Sequence, residues 1–153
     1  LESLPIIHEA RTNSGLRRNL SLASLFAGLA ISQTRTAICH SISYPLTLKY
    51  GIEHGIACAF SMLEVYKYNS AFIKDDLEII TFNVKQDPYI VLEKIFSQYE
   101  INPYIAKYLP NKSSFDESTE DFIATGRFEN NIRPCSRTDL INIIAASYHR
   151  VIS

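Results

Sequence analysis

The sequence predicts an all-α protein, a helical bundle, and three observations carry that prediction. Apolar residues recur at three- and four-residue steps in several segments of the chain. No segment sustains two-residue alternation for longer than about four residues, so the strand pattern is missing. Helix-start chemistry is explicit at two places: Asp87-Pro88 joins an N-cap to a proline at the first helical position, and Ser136 with Asp139 forms a capping box.

Residues Ser14 to Arg35 carry Leu16, Leu20, Ala23, Ala27, Ala30 and Ile31 at helical spacing, which predicts one helix with one buried stripe. Ala23, Ala27, Gly28 and Ala30 are small enough to let another helix come close. Thr36 to Tyr44 continues as a short helix until Pro45, whose ring and missing N–H predict a kink or a stop. Gly51 supplies a left-handed or open turn, and from Glu53 the run Ile56, Phe60, Leu63, Val65 and Tyr66 predicts a second, apolar helix to Asn69. Residues 71–86 fit a helical turn or an extended connection. Asp87-Pro88 leads into Ile90, Val91, Leu92, Ile95 and Phe96, and Asn102-Pro103 closes that helix. Ser118 or Asp116 caps a helix through Ala124, and Ser136 opens a short amphipathic helix bearing Leu140, Ile143 and Ile144.

With 153 residues, 46% of them hydrophobic, the chain can build one sizeable core, and no repeat, low-complexity tract or linker divides it. A single domain over residues 1–153 is expected. The 15 basic and 16 acidic residues are scattered, so no stripe exists to grip nucleic acid or an anionic membrane. The longest apolar stretch, Leu20 to Ile31, is interrupted by Ser21, Ser24 and Gly28 and falls short of the ~20 residues of a membrane span. Cys39, Cys58 and Cys135 form no C-x-x-C pair and suit reduced thiols in a cytoplasmic protein. The chain starts at Leu1, inside an apolar segment already in progress, and residues 1–14 lack the pattern of a signal peptide, so it reads as part of a longer polypeptide.

His40 and His54 stand on either side of Pro45 and Gly51. On an unbroken helix their separation would be ~21 Å, too far to share an ion. A chain reversal near residue 50 would let the two imidazoles face each other from neighbouring helices, with a metal at ~2.1 Å from each nitrogen. Spacing alone also fits two ordinary histidines satisfied by core or solvent.

The segment as a whole is more specific. His40, Pro45-Leu46, Gly51 and the turn His54-Gly55-Ile56-Ala57, followed by an apolar helix, resemble the iron-dependent (group III) alcohol dehydrogenase family, in which a second histidine follows the first at this spacing in a His-Gly-x-Ala turn. The resemblance extends upstream through "LRRNLSLASLFAGLAISQTRTA" and downstream to "RPCSRTDL", and is only general between residues 72 and 125. The wording "HSISYPLT" looks most like the branch that includes phosphonoacetaldehyde reductases. Dehydroquinate synthases and glycerol dehydrogenases are relatives with a similar plan.

The resemblance implies the C-terminal helical domain of the dehydroquinate synthase-like, iron alcohol dehydrogenase type, with His40 and His54 as two of four ligands to Fe²⁺ or Zn²⁺. It implies an NAD- or NADP-dependent enzyme acting on a small alcohol or aldehyde, and a possible homo-oligomer. The nucleotide belongs to an N-terminal domain of the family: Gly15, Gly28, Gly51, Gly55 and Gly126 are too dispersed to form a phosphate-cradling loop. The other two family ligands, an Asp and a His one turn later, have no counterpart in His8 and Glu9. This fragment alone is therefore expected to bind metal poorly and to be inactive.

Tyr44, one turn after His40, stands where many relatives carry another histidine; it either contacts substrate and relays a proton, or packs as an aromatic wedge. Arg35 either meets an anionic substrate group or is solvated. Cys39 and Cys58 lie near the ligands but read as small hydrophobes, and His149 reads as a helix-end residue. The aromatics Tyr89, Phe96, Tyr99, Tyr104 and Tyr108 read as core packing. The competing class of function is a stand-alone helical interaction module without catalytic activity.

Overall fold

The computed structural model describes residues 4–75, 77, 86–123 and 127–153. No strand occurs among them, and the chain is an all-α assembly as its periodicity predicts. A 3-10 turn at Leu4–Arg11 leads into α1 (Ser14–Thr34), α2 (Ile38–Tyr50), α3 (His54–Ala59) and α4 (Met62–Ser70). After the second described stretch begins come α5 (Pro88–Gln98), α6 (Ile101–Ala106), α7 (Lys112–Glu117), α8 (Thr119–Ile123), a 3-10 turn at Arg127–Asn130 and α9 (Arg137–Ile152).

The central element is α2, which packs against α3, α4, α8 and the second 3-10 turn. Its Ile38, Ile42 and Leu46 are fully buried together with Ile52, Phe60, Ile105, Phe122 and Leu140. Phe115 anchors the aromatic part of this core, with ring centroids 4.4 Å from Tyr148, 5.5 Å from Phe122 and 6.0 Å from Phe60. Such offset, tilted contacts add to the apolar area they bury.

Pro45 neither stops nor ends α2, contrary to the sequence expectation. A proline inside a helix costs about 3 kcal/mol. Burying Ile42 and Leu46 on either side of it returns about 1.5–3 kcal/mol each, so the helix runs on. The reversal comes at Gly51, where φ is 71° and the N–H bonds back to Thr47 O at 3.1 Å. A Cβ at Gly51 would meet nothing within 4 Å, so the demand there is purely on the backbone. Gly51→Ala is expected to lower stability by about 1 kcal/mol, read as a lower urea midpoint at unchanged slope.

Three further expectations are corrected. The single helix expected over 53–69 is two: Phe60 N–H bonds to Ala57 O at 3.2 Å, Ser61 leaves helical geometry, and the Arg150 guanidinium takes the Phe60 carbonyl at the break. Asn102-Pro103 does not close α5 but lies in the first turn of α6, where a proline N–H would have no helical partner anyway. Ser118 sits at a junction, the C-cap of α7 and the residue directly before α8, with its hydroxyl donating back to Ser114 O at 2.9 Å, and Asn111 caps α7 by accepting from Ser114 N. Ala124 and most of the 71–86 segment lie outside the described residues; Leu77 N–H bonds to Ile73 O at 2.9 Å, a helical turn at its start.

The largest departure is α1. Its periodicity does make a helix, capped by Asn13, but only Leu16 on it is buried. Leu25, Phe26 and Leu29 are 56%, 65% and 55% exposed, and nothing lies within 4 Å of a Cβ built on Gly28. Burial needs a partner surface, which a periodic pattern does not supply; among the described residues α1 packs chiefly on the 3-10 turn before it. Asn130 ties its C-terminus to the body of the protein by donating to Thr34 O at 2.6 Å and Thr36 O at 3.2 Å.

The capping box predicted for α9 is present in full: Asp139 N donates to Ser136 Oγ at 3.1 Å and Ser136 N donates to Asp139 Oδ2 at 3.0 Å. The Ser136 hydroxyl holds the Asp139 carboxyl below the usual carboxylate range.

Candidate metal centre

The turn at Gly51 folds α3 back against α2, and this brings the two punctuated histidines together. His40 sits in the first turn of α2 and His54 is the first residue of α3. Their ring centroids are 5.4 Å apart, and the Tyr44 ring lies 5.6 Å from that of His54. His40, Tyr44 and His54 therefore share one corner of the fold, with His54 exposed and the other two half-buried.

Ser43 orients the second imidazole. Its hydroxyl donates to His40 O at 2.9 Å and lies 3.5 Å from His54 Nδ1. Cys58, one turn along α3, places Sγ 3.8 Å from His54 Nε2. One donor atom from each of His40, His54 and Cys58 falls within 4.8 Å of the others, a group able to hold a metal ion.

A family model described as the C-terminal part of the Fe-containing alcohol dehydrogenase family matches residues 1–148. The chain belongs to that family. Over 70 residues it is 37% identical to a phosphonoacetaldehyde reductase of Streptomyces viridochromogenes, a stretch amounting to 46% of this chain and 18% of the reductase. Over 63 residues it is 32% identical to the bifunctional aldehyde-alcohol dehydrogenase of Escherichia coli K12, covering 41% of this chain and 7% of that enzyme. Over 60 residues it is 37% identical to the aldehyde-alcohol dehydrogenase of Clostridium acetobutylicum, covering 39% and 7%. The matched stretches thus span less than a fifth of these relatives' own length. No solved structure matches the chain.

In this iron-type alcohol dehydrogenase domain the remaining candidates separate cleanly. Cys39 packs against the core, and burial pushes its thiol up to about 11, as for an inert side chain. Cys58 has the same intermediate exposure as Cys39 and burial raises its thiol too, but its Sγ faces the histidines, so the two differ in their neighbours. Arg35 is exposed at the end of α1 with φ at 64°, and His149 is exposed in the last turn of α9, where Ser153 Oγ donates to its carbonyl at 2.6 Å. His8 lies on the surface, 3.4 Å from Tyr99 Oη. The aromatic run is core only in part: Phe96 is buried and Tyr89 packs against its cluster, while Tyr104 and Tyr108 pair near the surface with centroids 5.4 Å apart.

Sequence reasoning missed Ser43 and the groove beside Tyr44. That groove is lined by Tyr44, Pro45, Leu48, Lys49 and Asp121, with Lys49 Nζ 2.6 Å from Asp121 Oδ2. Hydrogen bonding to Asp121 raises the Lys49 ammonium above its ordinary value. Ser43 was legible in principle, three residues after His40 on the same helix face; the Lys49–Asp121 contact joins residues far apart in sequence and had no local signal.

Proposed function

We propose that this chain is the metal-binding helical domain of an NAD(P)-dependent alcohol dehydrogenase or aldehyde reductase. The observation that carries the reading is the convergence of His40 and His54 across the Gly51 turn, within a chain of the iron-type family. The donor set fits a divalent ion, Fe²⁺ or Zn²⁺, since imidazole suits both. Such an ion, when bound, supplies Lewis-acid polarisation of an alcohol or carbonyl oxygen.

The chain's own residues supply the rest. His40 and His54 hold the ion from two different helices, and Ser43 lies beside the second ring, 3.5 Å from His54 Nδ1. Tyr44 stands against the His54 ring and borders the groove, where its hydroxyl can donate to a substrate oxygen or pass on a proton. The Pro45 and Leu48 side of the groove offers an apolar wall to a small alcohol or aldehyde. The similarity to a phosphonoacetaldehyde reductase supports an aldehyde with an anionic group as one substrate class, for which Arg35, exposed just before α2, is a candidate cation. In this reading the nucleotide is held by a further domain, the protein works in the cytoplasm, and neither nucleic acid nor membrane is a partner; among the described residues no helix is long and apolar enough to cross a membrane.

The test is direct. The full-length protein is expected to contain about one equivalent of iron or zinc and to oxidise NADH or NADPH in the presence of a small aldehyde. A full-length protein with neither metal nor turnover would leave the interaction-module reading in its place. Tyr44→Phe separates the two roles of that residue: a relay predicts a fall in kcat of about 10²–10³ and loss of one limb of the pH–rate profile. An unchanged profile assigns Tyr44 to packing.

A further inference from the structure

We propose that Cys58 is a third donor to the ion, giving this chain two imidazoles and one thiolate, and that the sulfur makes the site select zinc over iron. The inference rests on the metal reading of His40 and His54 given above. Its support is geometric. His54 and Cys58 stand at i and i+4 on α3, so both side chains project from one face of the same short helix toward His40. A tetrahedral ion with metal–nitrogen and metal–sulfur bonds of about 2.1 and 2.3 Å sets its nitrogen and sulfur about 3.6 Å apart. Cys58 Sγ lies 3.8 Å from His54 Nε2, close to that separation.

The surrounding groups favour the arrangement. His54 Nε2 and the Cys58 thiol face each other at 3.8 Å, and the thiol proton is the one that must leave. A divalent ion replaces that proton: the Cys58 S–H bond breaks, the proton leaves to solvent, and the sulfur lone pair forms the metal bond with no change of oxidation state. Cys39, the neighbouring thiol, packs against the core and is not part of the group. A thiolate beside two imidazoles is a softer donor set than nitrogen and carboxylate alone, and softness shifts preference toward zinc.

Cobalt substitution of the full-length protein reads the sulfur directly. The wild-type protein loaded with one equivalent of Co²⁺ is expected to show a near-ultraviolet thiolate-to-cobalt charge-transfer band. Cys58→Ser is expected to lose the band while still binding cobalt, about 10–100-fold more weakly, and Cys39→Ser is expected to keep it. Zinc-edge X-ray absorption on the wild type supplies a measurement independent of any variant's folding, with a sulfur scatterer expected at about 2.3 Å. Cobalt or zinc bound without a sulfur signature overturns the role of Cys58 and leaves the histidine reading standing. Failure of the wild type to bind either ion overturns both. In competition, the wild type is expected to prefer Zn²⁺ over Fe²⁺ by a wider margin than Cys58→Ser; equal margins overturn the selectivity.

Discussion

His54→Ala in the full-length protein is expected to weaken binding of a divalent ion by more than about a hundredfold, because loss of even an outer partner of a ligand costs about 10–100-fold. Inductively coupled plasma analysis after gel filtration, with competition against a chromophoric chelator, measures it. Stability of the metal-free protein should change by no more than about 0.5 kcal/mol, since His54 is exposed at the start of α3 and contributes little to the core. That separation matters: metal loss with an unchanged unfolding midpoint assigns the histidine a ligand's role, whereas metal loss through unfolding does not. His149→Ala, at an exposed histidine in the last turn of α9, is expected to change neither quantity. A His54→Ala protein that keeps its full metal content would remove the ligand assignment.

The largest loss of stability is expected at Arg150. Its Nε lies 2.8 Å from Glu64 Oε1 and its Nη2 lies 3.1 Å from Glu64 Oε2, with the two side chains only 17% and 10% exposed. The same guanidinium donates to Asn102 Oδ1 and to the Phe60 carbonyl left at the α3–α4 break, and Ser147 Oγ donates to Glu64 Oε2 at 3.2 Å. One side chain of α9 thus holds α4, α6 and the end of α3 together. Arg150→Met strands a carboxylate in a mostly buried site and is expected to cost about 3–5 kcal/mol in urea unfolding. The double variant Glu64→Leu/Arg150→Met is expected to recover much of that loss, because it removes the uncompensated charge as well as the pair. A single-variant loss below about 1 kcal/mol would mean that the pair is solvated like a surface bridge.

Much of the helical content was legible because it is local. Asn13, Asp87 and Ser136 cap helices through bonds to residues two or three positions on, and those bonds depend only on nearby chain. Pro45 shows the limit of local rules. Its preference to end a helix is outweighed by the burial of Ile42 and Leu46, and that burial depends on Phe60, Ile105 and Leu140 arriving from elsewhere. Residues 53–69 show the same limit in reverse, since the break at Phe60 and Ser61 is satisfied by an arginine from the far end of the chain.

The site divides along the same line. Two histidines flanking a Pro and a Gly are visible in the sequence, and so is the reversal that Gly51 makes, because a left-handed residue is a property of one position. Which of two nearby cysteines faces those histidines is not visible: Cys39 and Cys58 have similar neighbours in sequence, and only helix rotation against the core turns one inward and the other toward the rings. The caps at Asp87 and Ser136 and the histidine turn were therefore determined by the sequence itself. The burial of each helix face, the exposure of α1 and the donor set at the metal centre were decided by tertiary packing, because burial and convergence are relations between surfaces that no single segment contains.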